Sequence, residues 1–350
     1  MKNKDTFSID GNIVGNGRCF IIAEIAQAHD GSLGTAHAYI DAVAQAGADA
    51  IKFQTHIAAE ESTPDEPFRI QFSKQDANRY EYWKRMEFTK KQWTELHAHC
   101  KEVGITFLSS PFSEAAVDML EDIGMPAWKI ASGEVSNIPM LTRIAETNKP
   151  VLLSTGMSDI TEIQNTLAFL KEFGISVLVF QTTTAYPCPP EQIGINNISI
   201  LRELLEVPVG LSDHSGTIFS PLAASAIHID MLEIHVTFSK QMFGPDVPAS
   251  ITIDELSEVV KGIRYIEQMI NNPVDKNQMA EQLKPLRSLF AKSIVANKDL
   301  NTGHKLSQED LAFKKPGTGL PPNEAPNILG KQLNKSIKAD KPILLEDLVQ

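Results

Sequence analysis

Two histidines stand just beyond two short apolar runs of this sequence. His214 follows Pro208–Leu211, and His235 follows Met231–Ile234. Short apolar runs bounded by turn residues are typical of buried strands, and Ser220–Ile229 between them has the length of a crossover helix. The pattern therefore predicts two adjacent parallel strands that bring both imidazoles to one rim of the sheet, where parallel α/β folds place their chemistry.

An imidazole pair of this kind is suited to a divalent metal such as Mn, Fe, Zn or Co. Asp213 lies beside His214 and Glu233 lies near His235 in the sequence. Each histidine taken alone is better explained as a hydrogen-bonded core or loop residue, and that alternative stays open. The occurrence of both histidines at matching strand ends favours a shared metal.

Composition restricts the class of protein. The chain has 350 residues, 42% of them hydrophobic, and a formal net charge of −12. This charge argues against a nucleic-acid or anionic-membrane partner, and an anionic substrate would need a local basic pocket. Three cysteines without ligand spacing predict a reducing compartment. There is no apolar signal-peptide core and no run near the ~20 apolar residues of a membrane span, so we expect a cytoplasmic protein.

Eight apolar runs alternate with helical segments over roughly 270 residues, which predicts a (β/α)8 TIM barrel. The predicted strands are Cys19–Glu24, Ala50–Gln54, Ile105–Ser109, Pro126–Ile130, Val151–Ser154, Ser176–Phe180, Pro208–Leu211 and Met231–His235. The polar residues in or just after them are Glu24, Lys52 with Gln54, Ser110, Lys129, Thr155, Gln181, His214 and His235. Such residues are often only caps, but a barrel gathers these strand ends on one face, so their recurrence predicts a pocket.

The segments outside the barrel strands complete the predicted architecture. Residues 1–18 carry Asp-Gly and Asn-Gly turn signals, which predict a small hairpin that plugs one end of the barrel. The long polar segment Thr55–Met86 is predicted to be a functional lid or disordered. We place the barrel domain at 1–270, a polar linker at 271–285 and a small β-rich domain at 286–350.

Nine motifs are distributed over nearly the whole chain. They are AEIAQAHDGS (23–32), IKFQTH (51–56), SSPFS (109–113), KIASGE (129–134), LSTGM (153–157), AYPCP (185–189), GLSDHS (210–215), the IHVTF–GPD block (234–246) and KKPGTG (314–319). Together they resemble the sialic acid synthase family, which includes legionaminic and pseudaminic acid synthases. The resemblance implies a (β/α)8 barrel followed by an antifreeze-like (SAF) domain. It also implies a domain-swapped homodimer in which that domain covers the partner's barrel mouth.

The activity that this resemblance implies is the condensation of phosphoenolpyruvate with an N-acylated mannosamine-type sugar, giving a nine-carbon 2-keto acid and phosphate. Glu24 then corresponds to the catalytic carboxylate, a general base for water. His214 and His235 would hold a divalent ion, Mn2+ first, with Mg2+ and Co2+ as alternatives. The implied phosphoenolpyruvate site contains Lys52, Ser110, Lys129, Ser132, Ser154 and Ser212. The implied sugar contacts are Gln54, Glu134, Tyr186, Asp246 and Lys315. Independently of the family, a lysine inside an apolar strand needs an anionic partner.

Three departures from the family pattern concern the acceptor sugar. Gln181-Thr182-Thr183 stands where members commonly have His-Cys-Thr, Thr184 stands where the sialic acid enzymes have Asn, and Lys315 replaces the usual Arg of the SAF motif. Lysine cannot reproduce the planar, forked donor set of arginine. N-acetylmannosamine is our first expectation for the acceptor. The 2,4-diacetamido-6-deoxymannose precursor of legionaminic acid comes second, and the pseudaminic acid precursor comes third.

Two other classes of protein stay open on the sequence. A class I aldolase or lyase would use Lys52 or Lys129 as a Schiff-base nucleophile, but it leaves the two histidines unexplained. A non-enzymatic carbohydrate- or ice-binding protein, led by the small C-terminal domain, leaves the polar strand ends without a purpose.

Overall fold

The structure, a computed structural model, describes residues 6–349. The chain divides after Asn271 into two compact units. None of the described helices is long and apolar enough to cross a membrane.

Most of the first unit is an alternation of strands and helices. Its strands are β1 (Phe7–Ile9), β2 (Asn12–Val14), β3 (Phe20–Ala26), β4 (Ala50–Thr55), β5 (Thr106–Pro111), β6 (Trp128–Ile130), β7 (Val151–Ser154), β8 (Val177–Thr182), β9 (Val209–Asp213), β10 (Met231–Thr237) and β11 (Ile251–Thr252). Its helices are α1 (Leu33–Ala46), α2 (Ala58–Glu61), α3 (Arg79–Met86), α4 (Lys90–Val103), α5 (Glu114–Ile123), α6 (Ile138–Ala145), α7 (Ile160–Glu172), α8 (Asn196–Leu205), α9 (Phe219–Ala226) and α10 (Ile253–Asn271).

The eight strands β3 to β10 form one parallel sheet. Their hydrogen-bonded order is β5-β4-β3-β10-β9-β8-β7-β6, and the two end strands, β5 and β6, lie against each other. The sheet is therefore a nearly closed barrel with helices on its outside. The predicted (β/α)8 TIM barrel is confirmed.

The local sequence accounts for the elements of the barrel. All residues of β3, β8 and β10 are buried, as expected for strands that are covered on both faces. The side chains of Ser32 and Thr89 accept backbone N–H bonds at the starts of α1 and α4. Gly47 and Gly104 end the same helices in the left-handed conformation, which glycine adopts without strain.

Several barrel strands extend further than the apolar pattern predicted. The strand predicted at Pro208–Leu211 is Val209–Asp213, and the last strand continues past His235 to Thr237. A neighbouring parallel strand can form hydrogen bonds with the backbone of a residue whether its side chain is apolar or polar. The polar residues at the strand ends therefore remain in the sheet.

The N-terminal hairpin consists of β1 and β2, which pair antiparallel. Ile9 and Val14 are buried in the main core, and Phe7 lies near the start of β8. The hairpin therefore covers the N-terminal end of the barrel. Residues 1–5 of the predicted segment lie outside the described residues.

The predicted lid segment is ordered around a small core of its own. Ala58, Tyr82, Trp83 and Met86 are buried together. Asn78 starts α3 by accepting the N–H of Glu81. The segment between β4 and α4 therefore presents aromatic side chains near the carboxyl ends of the strands.

The second unit contains α11 (Lys276–Gln282), α12 (Lys284–Phe290), β12 (Ser293–Ala296), β13 (Leu311–Lys314) and α13 (Ala325–Ile328). The stretch predicted as a linker is thus largely helical, and Asp275 caps α11. A spacing of 37 residues relates Lys298 and Asp310 to Lys335 and Asp347. Both aspartates are buried and each contacts its own lysine, so this lysine–aspartate pair occurs twice in the unit.

Candidate active site

A cavity of about 480 Å³ opens at the carboxyl ends of the barrel strands. The sequence-predicted residues that line it are Glu24, Lys52, Gln54, Ser110, Ser132, Glu134, Ser154, Tyr186, Ser212, His214, His235 and Asp246. Lys129 reaches the same group because its ammonium donates to Ser154 Oγ at 2.6 Å. Lys315 belongs to the second unit, where its ammonium lies 5.2 Å from the ring centroid of Phe290.

Strand register explains why the charged residues meet. Glu24 on β3 is paired with Lys52 on β4 and with His235 on β10. Residues opposite each other in neighbouring strands point to the same face of a sheet. A β-bulge after Glu24 turns the backbone, and the N–H of Ala26 donates to Glu24 Oε1 at 2.6 Å. The bulge therefore fixes the carboxylate at the rim.

Lys52 is buried in contact with two carboxylates. Its ammonium forms an ion pair with Glu24, lies 3.8 Å from Glu233 Oε2 and donates to Ser110 Oγ at 3.1 Å. Burial lowers the pKa of Lys52 to about 7, and Glu233 opposes this effect. The direct contact with Glu24 also favours the ammonium form, so Lys52 can present a positive charge to an anionic ligand.

Lys129 and Glu233 form the second half of this buried cluster. The ammonium lies 3.4 Å from Glu233 Oε1, which also accepts a hydrogen bond from Ser212 at 3.2 Å. Burial lowers the pKa of Lys129, and Glu233 opposes it. The lysines hold the pKa of Glu233 below its usual value despite burial. Glu233 Oε2 has no hydrogen-bond partner among the described residues.

The two predicted metal ligands lie side by side. The ring centroids of His214 and His235 are 5.1 Å apart at 62°. His214 Nδ1 is 2.8 Å from the carbonyl oxygen of Thr183, which can only accept, so Nδ1 carries the proton and Nε2 keeps its lone pair. Burial lowers the pKa of His214 to about 4 and that of His235 well below its usual value. Both imidazoles are therefore neutral near pH 7.

This donor set fits an open metal site with two protein ligands. Neutral imidazole with an oriented second nitrogen is the form that binds metals. In the part of the chain that the structure describes, no group of three or more His, Cys, Asp or Glu side chains could hold a metal ion. The remaining ligands would then come from water, from substrate or from other oxygen donors.

The formal charge of the cavity also favours a bound cation. The carboxylates that line it are Glu24, Glu61, Glu66, Glu134, Glu233 and Asp246. The cationic side chains are Lys52, Arg69 and Arg79, with Lys129 next to Ser154. Carboxylates therefore exceed cations by two, and a divalent ion beside the imidazoles would balance that excess.

Tyr186 lies between a cation and a metal-ligand candidate. The guanidinium of Arg69 is 4.2 Å from the Tyr186 ring centroid, and the His214 ring stacks on Tyr186 at 4.1 Å. Two groups cannot occupy one ring face at this distance, so Arg69 and His214 lie on opposite faces. Arg69 also donates to Asp246 Oδ1 at 3.0 Å, and burial raises the pKa of Asp246 against the effect of Arg69.

The residues that depart from the family pattern do not all face the cavity. Thr182 and Thr184 line the cavity, whereas the Gln181 side chain donates to the carbonyl oxygen of Ile193 at 3.1 Å. Asp213 also points away from a shared metal, since its carboxylate accepts from Ser215 and Ser220. Its proximity to His214 in sequence therefore does not make it a ligand.

Sequence reasoning missed the roles of two residues in this cavity. The sequence pattern by itself marks Glu233 only as a neighbour of His235, although a separation of two residues places both side chains on one face of β10. Arg69 was part of the predicted lid segment without a partner. Its contact with Asp246 joins positions 177 residues apart, for which the sequence carries no local signal.

Known proteins resemble this chain over nearly its whole length. The profile of the NeuB family matches residues 39–275, and that of the SAF domain matches residues 291–349. The N,N'-diacetyllegionaminic acid synthase of Campylobacter jejuni is 33% identical over 93% of this chain and 99% of its own length. The N-acetylneuraminate-9-phosphate synthase of Homo sapiens is 32% identical over 95% of this chain and 92% of its own length. A crystal structure of the N-acetylneuraminic acid synthetase of Leptospira borgpetersenii, in complex with citrate, has a TM-score of 0.71 at 27% identity, covering 81% of this chain and 97% of that one.

Proposed function

Since the chain belongs to the NeuB family, we propose that it condenses phosphoenolpyruvate with an N-acylated mannosamine-type sugar to give a nine-carbon 2-keto acid and phosphate. The observation that carries the proposal is the joint placement of two functional groups in one cavity. Buried Lys52 and Lys129 suit a carboxylate and a phosphate, and the neutral pair His214 and His235 lies beside them. A Schiff-base aldolase would need only one of the lysines and neither of the imidazoles.

The chain's own side chains supply the steps of this reaction. Lys52, Lys129 and the neighbouring serine hydroxyls bind the two anionic groups of phosphoenolpyruvate. C3 of the enol attacks the aldehyde carbon of the open-chain sugar, and water adds at C2 as positive charge develops there. Glu24 takes a proton from that water once the anionic groups of phosphoenolpyruvate have replaced its carboxylate beside Lys52. The oxygen of the former aldehyde takes up a proton and becomes a hydroxyl. The C2 adduct then expels phosphate with the C–O electron pair, and its new hydroxyl loses a proton to give the ketone.

A divalent ion, Mn2+ first and Mg2+ or Co2+ as alternatives, belongs to this proposal. His214 and His235 would hold it. When bound, it would polarise the aldehyde oxygen of the acceptor as a Lewis acid. The neutral imidazoles and the excess of carboxylates in the cavity support it.

The acceptor that we propose first is N-acetylmannosamine. A diacetamido-6-deoxy sugar of the legionaminic acid type is the second candidate, and the pseudaminic acid precursor is the third. The second candidate is favoured by the apolar side chains among the residues that line the cavity, which could contact a deoxy methyl group and acetamido methyl groups. These side chains are Phe68, Ile70, Phe72, Trp83, Phe112 and Met157.

The decisive experiment measures phosphate release from phosphoenolpyruvate with a panel of N-acylated hexoses and Mn2+. Release should require both substrates and the ion, and mass spectrometry should show a nine-carbon 2-keto acid. Borohydride trapping with a keto acid should leave the protein unmodified. Phosphate release that is absent with every sugar, or a trapped lysine adduct, would contradict the proposal.

We also propose that the chain forms a domain-swapped homodimer in which the second unit serves the partner's barrel. Helices α11 and α12, with the residue between them, expose Met279, Leu283, Leu286, Leu289 and Phe290. An exposed apolar series of this size is typical of a surface that another chain covers. A second copy of the same chain is the occupant we propose.

A complementation experiment tests the swap. A His214→Ala chain and a Lys315→Ala chain, each inactive alone, are refolded together and the heterodimers are isolated. With swapping, one site carries both lesions and the other carries neither, so activity should return. If each second unit serves its own barrel, every site keeps one lesion and no activity returns.

A further inference from the structure

Arg69 is held at the cavity by Asp246 and Tyr186, two residues that the family resemblance places at the sugar. Its guanidinium donates to Asp246 at 3.0 Å and covers the face of Tyr186 at 4.2 Å. The side chain is 39% exposed, so part of it remains accessible. Asp246 occupies one of its five N–H donors in the described contacts. Arg69 can therefore donate to a ligand without leaving its present position.

Among the described residues of the barrel unit, the two guanidinium groups in this part of the cavity lining, those of Arg69 and Arg79, each have a carboxylate partner. We call Glu61, Glu66, Arg69, Arg79 and Asp246 the acceptor wall; all five line the cavity. Arg79 forms an ion pair with Glu66 at 3.1 Å, as Arg69 does with Asp246, and Glu61 contacts the His56 ring at 2.6 Å. The wall therefore has three carboxylates and two guanidinium groups. Its net formal charge is therefore negative.

We propose that Arg69 and Asp246 act as one acceptor-binding pair that selects an uncharged sugar over its phosphorylated form. This rests on the proposed function. The guanidinium donates to a hydroxyl or acyl oxygen of the sugar, and the carboxylate accepts from an adjacent O–H or N–H. Each partner holds the other in place, and Tyr186 fixes the plane of the guanidinium.

Charge gives the pair its selectivity. A neutral sugar leaves the Arg69–Asp246 ion pair intact and adds hydrogen bonds to it. A phosphate group on the sugar would bring about two negative charges to a wall whose guanidinium groups are already paired. Like charges in a partly buried site repel strongly, because little water screens them. The dianion would have to break an ion pair and leave a carboxylate without its partner.

The test compares an N-acylmannosamine with its 6-phosphate, using the full-length protein. Wild type should show a kcat/KM at least tenfold higher for the unphosphorylated sugar. Arg69→Gln should raise the KM for this sugar at least tenfold and leave the KM for phosphoenolpyruvate within twofold. Arg69→Lys keeps the positive charge but loses the forked donor set. Its KM for the unphosphorylated sugar should lie between those of wild type and Arg69→Gln. Lys74→Gln removes a charge from the same segment at an exposed position and should behave as wild type.

Asp246→Asn separates charge selection from a structural role. Loss of this carboxylate should lower the preference for the unphosphorylated sugar at least fivefold, even though the affinity for that sugar also falls. A wild-type preference for the 6-phosphate would overturn the inference. An unchanged sugar KM in Arg69→Gln would do the same. If wild type releases no phosphate with either sugar, the proposed function has failed. Calorimetric titration of wild type and Arg69→Gln with each sugar then still decides the binding preference.

Discussion

Replacing Glu233 with Gln should destabilise the ligand-free barrel by about 3–5 kcal/mol, the range measured when one partner of a buried ion pair is removed. Glu233 lies 3.4 Å from Lys129 and 3.8 Å from Lys52. At an effective dielectric constant of about 20, each contact is worth roughly 4–5 kcal/mol. Lys52 keeps Glu24 as a partner, whereas Lys129 loses its only carboxylate contact among residues 6–349. Deprotonation of Lys129, whose pKa burial already lowers, limits the loss.

The measurement is urea unfolding followed by tryptophan fluorescence. All three tryptophans, Trp83, Trp93 and Trp128, lie in the barrel unit, so the signal reports that unit alone. Ser212→Ala is the matched control, because it removes only the hydrogen bond to Glu233 Oε1 and should cost about 1 kcal/mol.

Added inorganic phosphate should stabilise the Glu233→Gln variant more than wild type. In the variant the anion replaces the missing carboxylate between the lysines, whereas in wild type it must bind beside Glu233. Two results would refute the view that Glu233 is the counter-ion of the buried lysines. One is a free energy of unfolding of the variant within about 1 kcal/mol of the wild-type value. The other is an equal stabilisation of both proteins by phosphate.

Four further results are expected. Glu24→Gln should lower turnover by about 10^2 or more, the scale of a lost general base, with phosphoenolpyruvate affinity little changed; unchanged turnover would remove Glu24 from the mechanism. His214→Ala and His235→Ala should each abolish metal-dependent turnover and keep the circular dichroism spectrum, and near-wild-type activity of either in chelator-treated buffer would contradict the metal pair. Because burial lowers the pKa of Lys52 to about 7, kcat/KM for phosphoenolpyruvate should fall as pH rises above that value, and a flat profile to pH 9 would show that another group carries the charge. Burial also lowers the pKa of His29 to about 3, below its value of about 6.5 in the unfolded chain. Between these two pH values the unfolded chain binds a proton that the folded chain does not. The contribution of His29 to stability is therefore present above pH 6.5 and is lost as pH falls towards 3. His29→Asn, which keeps an acceptor for the N–H of Gly31, should show a smaller loss of urea midpoint between pH 7 and pH 4, and an equal loss would exclude His29 as the titrating group.

The sequence was sufficient for the fold because the barrel strands are apolar on both faces and alternate with helices at regular spacing. It was also sufficient to predict which strand ends would meet, since parallel strands place their carboxyl ends on one rim. Glu233 could have been found by the same argument, from its two-residue spacing to His235. Arg69 could not, because its position depends on a contact with Asp246, distant in sequence. Helix α11, in the predicted linker, has no buried residue. Its sequence therefore carries no apolar periodicity from which a helix could be predicted.

Burial has one physical effect on the cavity side chains and two chemical consequences. It disfavours the charged forms of histidine and lysine alike. For His214 and His235 the result is a neutral ring with an available lone pair, the form that a metal needs. For Lys52 and Lys129 the same desolvation would remove the charge that an anionic substrate needs, and Glu24 and Glu233 oppose it. The two carboxylates are therefore what keeps the lysines cationic beside neutral imidazoles. A substrate that brings its own carboxylate and phosphate to the lysines can take over that task, which leaves Glu24 able to accept a proton.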